Sequence, residues 1–293
     1  MKLFFKIGII FMVLSFACSG ERSKKNQDNE VLELRERAHR LSQKLIITDG
    51  HIDLPYRMAN KGFMSRNSVE DVSIETMGDF DYPKAKMGGL DAPFMSIYVP
   101  AALQKSGGAK AFADSLIDMV GRLPEAFPNL FASAGTPSEV KENFEKALIS
   151  LPLGMENGAP IESDLANVKY FFDRGIRYIT LTHSLDNEIC DSSYDTSEDT
   201  WDGLSPFGEQ VVQEMNKWGI MIDVSHISDK AFYDVMNLTQ APVIASHSSC
   251  RKFTPGFMRN MNDDMIKLLA EKEGVIQINF GSSFLSKTSQ DQF

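Results

Sequence analysis

The stretch Lys44-Leu-Ile-Ile-Thr-Asp-Gly-His-Ile-Asp53 decides how the rest of the chain is read. It is a short apolar run that ends in a histidine and a carboxylate two residues apart. In a strand, residues i and i+2 point to the same face. His51 and Asp53 would therefore converge just past the strand's C-terminal end. Imidazole with carboxylate is a ligand pair for zinc or a similar divalent ion. Alone, the pair reads better as a capped turn, so its meaning depends on the residues at the ends of the other strands.

Downstream, apolar runs alternate with helical patterns. Strands are expected at Ala92–Val99, Ala147–Met155, Arg177–Thr182, Gly219–Val224, Pro242–Ala245 and Val275–Phe280. Helices are expected near 109–122, 161–175, 205–218, 229–237 and 262–272, with another at 31–45 leading into the first strand. Residues 60–86 read as an irregular excursion of the kind that covers a site. Seven strands alternating with helices imply a parallel α/β sheet, and strands apolar throughout imply that both faces are covered. No Gly-x-Gly-x-x-Gly follows the first strand, which weighs against a dinucleotide fold. The expected architecture is a (β/α)8 TIM-type barrel of the metal-dependent hydrolase kind, with the eighth strand and the C-terminal segment missing.

The strand ends repeat the opening pattern. Glu156 closes Leu153–Glu156, His183 closes Leu181-Thr-His, His226 closes Ile222–His226, and His247 closes Ile244–His247. Four of the chain's five histidines fall at such ends; His39, in the leading helix, does not. In a barrel these ends form one rim, where active sites sit. Each residue has a plain structural alternative: a hydrogen-bonded histidine, or Glu156 capping the next helix. Asp223 reads either as a partner to the rim residues or as a buried structural acid. Together, His51, Asp53, Glu156, His226 and His247 are too many for one zinc. They suit two metals about 3.5–4 Å apart, with Glu156 as the bridge and a hydroxide as nucleophile.

The chain has 293 residues, 43% of them hydrophobic, enough for a large core. A net charge of −10 argues against nucleic acid as a partner. The first 18 residues read as a lipoprotein-type signal peptide: Lys2 and Lys6, an apolar run over Ile7–Phe16, then Ala17-Cys18. Ser15 stands where such sites usually carry leucine, and Leu14 lies one place back. Residues 19–30 read as a polar tether and 31–293 as the incomplete barrel. The expected location is the bacterial cell envelope after export, with membrane contact only through a lipid on Cys18. Cys190 and Cys250 are compatible either with a disulfide or with two free thiols.

The motifs Asp49-Gly-His-Ile-Asp-Leu-Pro55, Gly154-Met-Glu-Asn-Gly158, Arg177–His183, Gly203-Leu-Ser-Pro-Phe-Gly208, Ile222–Ser228 and Pro242–Ser249 occur in the order found in the membrane dipeptidase family of zinc metallopeptidases, which the chain resembles from about residue 45 onward. The resemblance implies a zinc-dependent dipeptidase that hydrolyses dipeptides through a metal-bridging hydroxide. His51 and Asp53 would hold one Zn2+, His226 and His247 the other, with Glu156 shared. It also implies that His183 contacts substrate and stabilises the oxyanion, and that Arg259 grips the substrate carboxylate, with Arg251 as a competitor for that role. It leaves room for a homodimer. Asn157 stands where many members have glycine. The acidic residue that the family carries on its eighth strand lies beyond this chain, so a fragment that binds metal but catalyses poorly is one alternative. Another binuclear amide hydrolase and a non-enzymatic surface lipoprotein are the others.

Overall fold

The computed structural model describes residues 31–286. The expected signal peptide, the lipid attachment at Cys18 and the tether lie outside the described residues. Contacts divide the chain into a unit ending at Ile47 and a unit from Thr48 onward. The first contains helix α1 (31–42), three residues shorter than expected. No helix among the described residues is long and apolar enough to cross a membrane.

The main sheet has seven strands: β1 (Ile47–Ile52), β2 (Leu90–Tyr98), β5 (Leu153–Glu156), β6 (Ile176–Thr180), β7 (Met221–Asp223), β8 (Ile244–Ser248) and β9 (Val275–Ile278), neighbours in that order. The ladders recorded from β2 through β9 are all parallel. Between β2 and β5 lie β3 (Phe131–Ser133) and β4 (Ile149–Leu151), which pair with each other. The sheet curls into a nearly closed barrel. Tyr178 on β6 hydrogen-bonds the Gly50 carbonyl on β1, and a Cβ on Gly50 would sit 2.5 Å from the Ser246 backbone carbonyl on β8 and against the Gln277 side chain on β9. Glycine is required there by that close approach. Inside the barrel, Gly154 on β5 makes room for Tyr178, whose ring would lie 2.0 Å from an added Cβ. Tyr178 is fully buried. A large side chain filling the space left by a small neighbour is how barrel layers pack.

Helices alternate with these strands: α2 (Leu54–Asn60), α3 (Tyr82–Gly88), α4 (Ala102–Ser106), α5 (Ala109–Ala126), α6 (Pro137–Glu145), α7 (Ala166–Asp173), α8 (Pro206–Trp218), α9 (Asp229–Leu238), α10 (Asp263–Glu271) and α11 (Ser282–Leu285). Five of them begin at a side-chain cap: Asp81 before α3, Thr136 before α6, Ser205 before α8, Ser228 before α9 and Asn262 before α10. Each cap satisfies amide groups that the first helical turn leaves free. On α8, Val211, Val212 and Met215 are buried, so one face packs on the sheet.

Three local expectations are corrected. The strand expected over 147–155 is two strands, because Pro152 has no amide hydrogen to continue a ladder. The helix expected from 161 starts later, at Ala166, after a 3-10 turn at Ala159–Ile161. The excursion at 60–86 carries α3, started by Asp81, which accepts from the Lys84 amide.

Candidate metal centre

Register places the rim. Tyr98 of β2 lies level with Glu156 of β5, Glu156 with Thr180 of β6, and Thr180 with Asp223 of β7. The chain therefore leaves each strand at one height, and residues just beyond these ends meet above the barrel. Glu156 stands at the middle. Its Oε1 lies 3.0 Å from His226 Nε2, 3.2 Å from His247 Nε2 and 3.6 Å from His183 Nε2, while Oε2 lies 3.5 Å from His51 Nε2. Asp53 joins at the edge, with Oδ1 3.4 Å from His51 Nε2 and the side chain 62% exposed. Asp53 precedes α2 without capping it, so its carboxylate is not held by the helix. All six residues line one cavity of about 1130 Å3.

The imidazoles are oriented from behind. The Tyr178 hydroxyl donates to the Gly50 carbonyl at 2.9 Å and lies 3.1 Å from His51 Nδ1. Its oxygen therefore accepts from Nδ1–H and leaves Nε2 facing Glu156. Ser246 does the same for His247. Its hydroxyl donates to Asp223 at 2.6 Å and accepts from His247 Nδ1 at 2.7 Å. Asp223 is fixed in turn by the Ser225 and Ser246 amides and the Thr180 hydroxyl. A register shift between Ala245 and Ser248 lets adjacent Ser246 and His247 both serve the site. His226 adopts φ +72°, a conformation rare for a side chain this size. Its carbonyl accepts from the Ser193 amide at 2.7 Å, which pins the loop before α8 onto the rim.

Asn157, after the central carboxylate, has φ +80°. Asparagine tolerates the left-handed region that glycine would fill. Its amide nitrogen donates to the Val99 carbonyl and Gln104 Oε1, and its Oδ1 accepts from the Ala159 amide. The departure from glycine thus keeps the turn and adds anchors.

Charge is concentrated unevenly. Burial favours a neutral His51, but the Glu156 and Asp53 carboxylates outweigh it and push its pKa up to about 10. Burial would also raise Glu156, yet the His51 charge and the surrounding imidazoles hold it well below the usual carboxylate range. Burial lowers His226 well below its ordinary value and also lowers His183 and His247; Arg259 contributes in each case, and the His51 charge in the last two. The ionised Glu156 and the neutral His183, His226 and His247 are in the protonation states metal binding needs, while His51 would give up a proton on binding.

This donor set fits divalent cations. His226 Nε2 and His247 Nε2 face each other at 2.9 Å, and Nδ1 of both His183 and His226 is buried without a protein partner. So many acceptors around one buried carboxylate leave an excess of lone pairs that a cation would satisfy. Two sets of three have ligand atoms within 4.8 Å of one another: His51, Glu156 and His247, and Glu156, His183 and His226. Both sets share Glu156. Asp53 stands at the edge of these sets, and His51 stacks on His247 at 3.9 Å.

The two arginines are told apart by burial and partners. Arg251 forms a two-pronged ion pair with Asp229, at 2.7 and 2.5 Å, and is committed there. Arg259 is 3% exposed and lines the cavity. It donates to Ser248 Oγ at 2.7 Å and to the His247 carbonyl at 2.8 Å, and its Nε has no protein partner. Tyr178, Ser246 and Tyr98 were not singled out in the sequence. The alternation of Tyr178 with Thr180 in β6 was the one available signal. Cys190 and Cys250 are both free thiols.

The sequence profile of the membrane dipeptidase family, peptidase family M19, matches residues 35–292. The chain belongs to this family. It is 31% identical over 257 residues to Dipeptidase 3 of Mus musculus, a match covering 86% of this chain and 50% of that protein. The chain thus spans about half the length of this curated relative. Among solved structures, the probable dipeptidase PvdM from Pseudomonas aeruginosa is 26% identical, with a TM-score of 0.77 over 87% of this chain and 65% of that one. A metallopeptidase from Rhodobacter sphaeroides, solved with a phosphinate mimic of the dipeptide L-Ala-D-Ala, is also 26% identical, with a TM-score of 0.71 over 83% of this chain and 76% of that one. The M19 fold and the cavity rim therefore come together in this chain.

Proposed function

We propose that this chain is a zinc-dependent dipeptidase whose ions share Glu156, with His51 and Asp53 on one side and His226 and His247 on the other. The observation that carries the reading is the convergence of four histidines on one buried carboxylate at the barrel rim. When bound, two zinc ions supply Lewis-acid polarisation of the scissile carbonyl and activate water near neutral pH. The chain's own residues do the rest. Tyr178 and Ser246 hold His51 and His247 in one tautomer, so the site is set before substrate arrives. His183, which burial keeps neutral, offers an N–H to the oxygen on which charge develops. Arg259 presents its free Nε and its fixed guanidinium plane to the C-terminal carboxylate. That grip restricts the substrate to a length at which the scissile bond lies over Glu156. The expected setting is the cell envelope, with the chain exported and held by a lipid on Cys18.

The test is hydrolysis of Ala-Ala by the zinc-loaded protein beside Ala-Ala-amide, which lacks the carboxylate. Cleavage of the first and more than about tenfold slower cleavage of the second supports the reading. Equal cleavage removes Arg259 from its role, and no cleavage of either at full metal loading ends the dipeptidase assignment.

A further inference from the structure

The cavity has a second cationic wall. Helix α2 follows β1 directly, and Tyr56, Arg57, Asn60 and Lys61 all line the cavity. Their spacing places them on one helical face, while Leu54, Pro55 and Met58 are buried. Arg57 Nε donates to Glu70 at 3.0 Å, and its Nη2 donates to the Phe80 carbonyl. Lys61 Nζ donates to the other oxygen of the same carboxylate at 2.6 Å. Two cations thus share one anion, and the group keeps a net positive charge. Glu70 is 11% exposed, whereas Lys61 is 47% exposed and has donor capacity left.

This wall is distinct from the one carrying Arg259. Arg259 is held by β8 through the His247 carbonyl and Ser248, and lies 5.3 Å from the Phe284 ring. Helix α2 packs on β2, with the Tyr56 ring 4.7 Å from Tyr98. A dipeptide held at Arg259 by its C-terminal carboxylate and centred over Glu156 would turn its N-terminal residue toward α2. Lys61 lies eight residues beyond Asp53 along the helix, roughly 12 Å at helical rise. A substrate partner for Lys61 would therefore be a side chain rather than a backbone terminus.

We propose that the α2 face is an anion subsite, with the half-exposed ammonium of Lys61 as the cation that reaches the ligand, that selects dipeptides with an acidic N-terminal side chain. The inference rests on the dipeptidase reading for the substrate class. Its test therefore reads binding: calorimetry of the zinc-loaded full chain with phosphinate mimics of Glu-Ala and Gln-Ala, alongside Ala-Ala hydrolysis. The Glu mimic is expected to bind roughly three- to tenfold tighter than the Gln mimic, the range a half-exposed ion pair reaches. Lys61→Gln brings that ratio close to one. Lys61→Glu turns it in favour of the Gln mimic. Lys61 lies at the exposed end of α2, and a thermal melt checks that each variant is folded. Equal binding of the two mimics by the unmodified protein, or a ratio unchanged in Lys61→Gln, overturns the subsite. If Ala-Ala is cleaved in that case, the dipeptidase reading stands without it. If the Glu preference is present but no dipeptide is cleaved, the subsite stands and the dipeptidase reading falls. Failure of both mimics to bind overturns both.

Discussion

Tyr178→Phe isolates what holds His51. The ring is fully buried between Gly154 and Phe94, and phenylalanine keeps its shape, so packing is preserved. Only the hydroxyl is lost. With it go the bond to the Gly50 carbonyl at 2.9 Å and the 3.1 Å contact that fixes His51 Nδ1. A buried partner left unsatisfied costs about 1–3 kcal/mol. The metal-free protein is therefore expected to lose about that much stability, a fall in Tm of roughly 3–10 °C for a domain of this size. Loss of the orienting bond is also expected to weaken metal binding by about 10- to 100-fold. The two effects are read separately, by thermal melts of the metal-free protein and by zinc competition against a chelator of known affinity. A variant with lowered Tm but unchanged zinc affinity would show that the tyrosine only fills space. That result would refute the claim that the barrel interior presets the histidine.

Other outcomes arise from neighbouring contacts. Burial would raise the Asp81 carboxyl, but amide bonds from Thr76 and Lys84 and the Lys84 ammonium push it down to about 2. Its folded value lies below its unfolded one, so it contributes about 2 kcal/mol above about pH 4 that is lost as pH falls toward 2; urea midpoints of the wild type and Asp81→Asn at pH 6 and pH 3 should differ at the higher pH and approach each other at the lower. Arg259→Lys is expected to reduce kcat/KM for Ala-Ala by about 10- to 100-fold with KM rising, whereas Arg251→Ala, which breaks the pair with Asp229 and the bonds to the Met258 and Asn260 carbonyls, should cost about 1–3 kcal/mol in urea melts. Asn157→Ala should destabilise by about 1–2 kcal/mol from the backbone alone, and Asn157→Gly should recover that part.

What the sequence made legible was set by local chemistry. His51 and Asp53 could be paired from strand alternation, and Glu156, His183, His226 and His247 from their places at strand ends. Those residues lie within a few positions of the apolar runs that announce them. Tyr178 could not be matched to His51, because they are 127 residues apart and meet only across the curled sheet. Ser246 was obscured by a register shift that turns two adjacent residues toward one site, against the simple two-residue period. Arg251 and Arg259 look alike in sequence, and only Asp229, from another helix, separates them. Strand β3 and helix α6 are not announced by a long apolar run, although α6 carries a readable start. Thr136 accepts from the Glu139 amide, the Glu139 carboxylate returns to Thr136, and Pro137 opens the helix. Pro152, which divides β4 from β5, was the equally local sign that one apolar run was two strands.

The central claim is that one carboxylate serves two cations. Crystals grown with zinc and measured on either side of the zinc absorption edge test it most directly. The account expects two anomalous peaks about 3.5–4 Å apart, with one Glu156 oxygen about 2.0–2.2 Å from each. A single peak, or two peaks of which Glu156 touches only one, would contradict it.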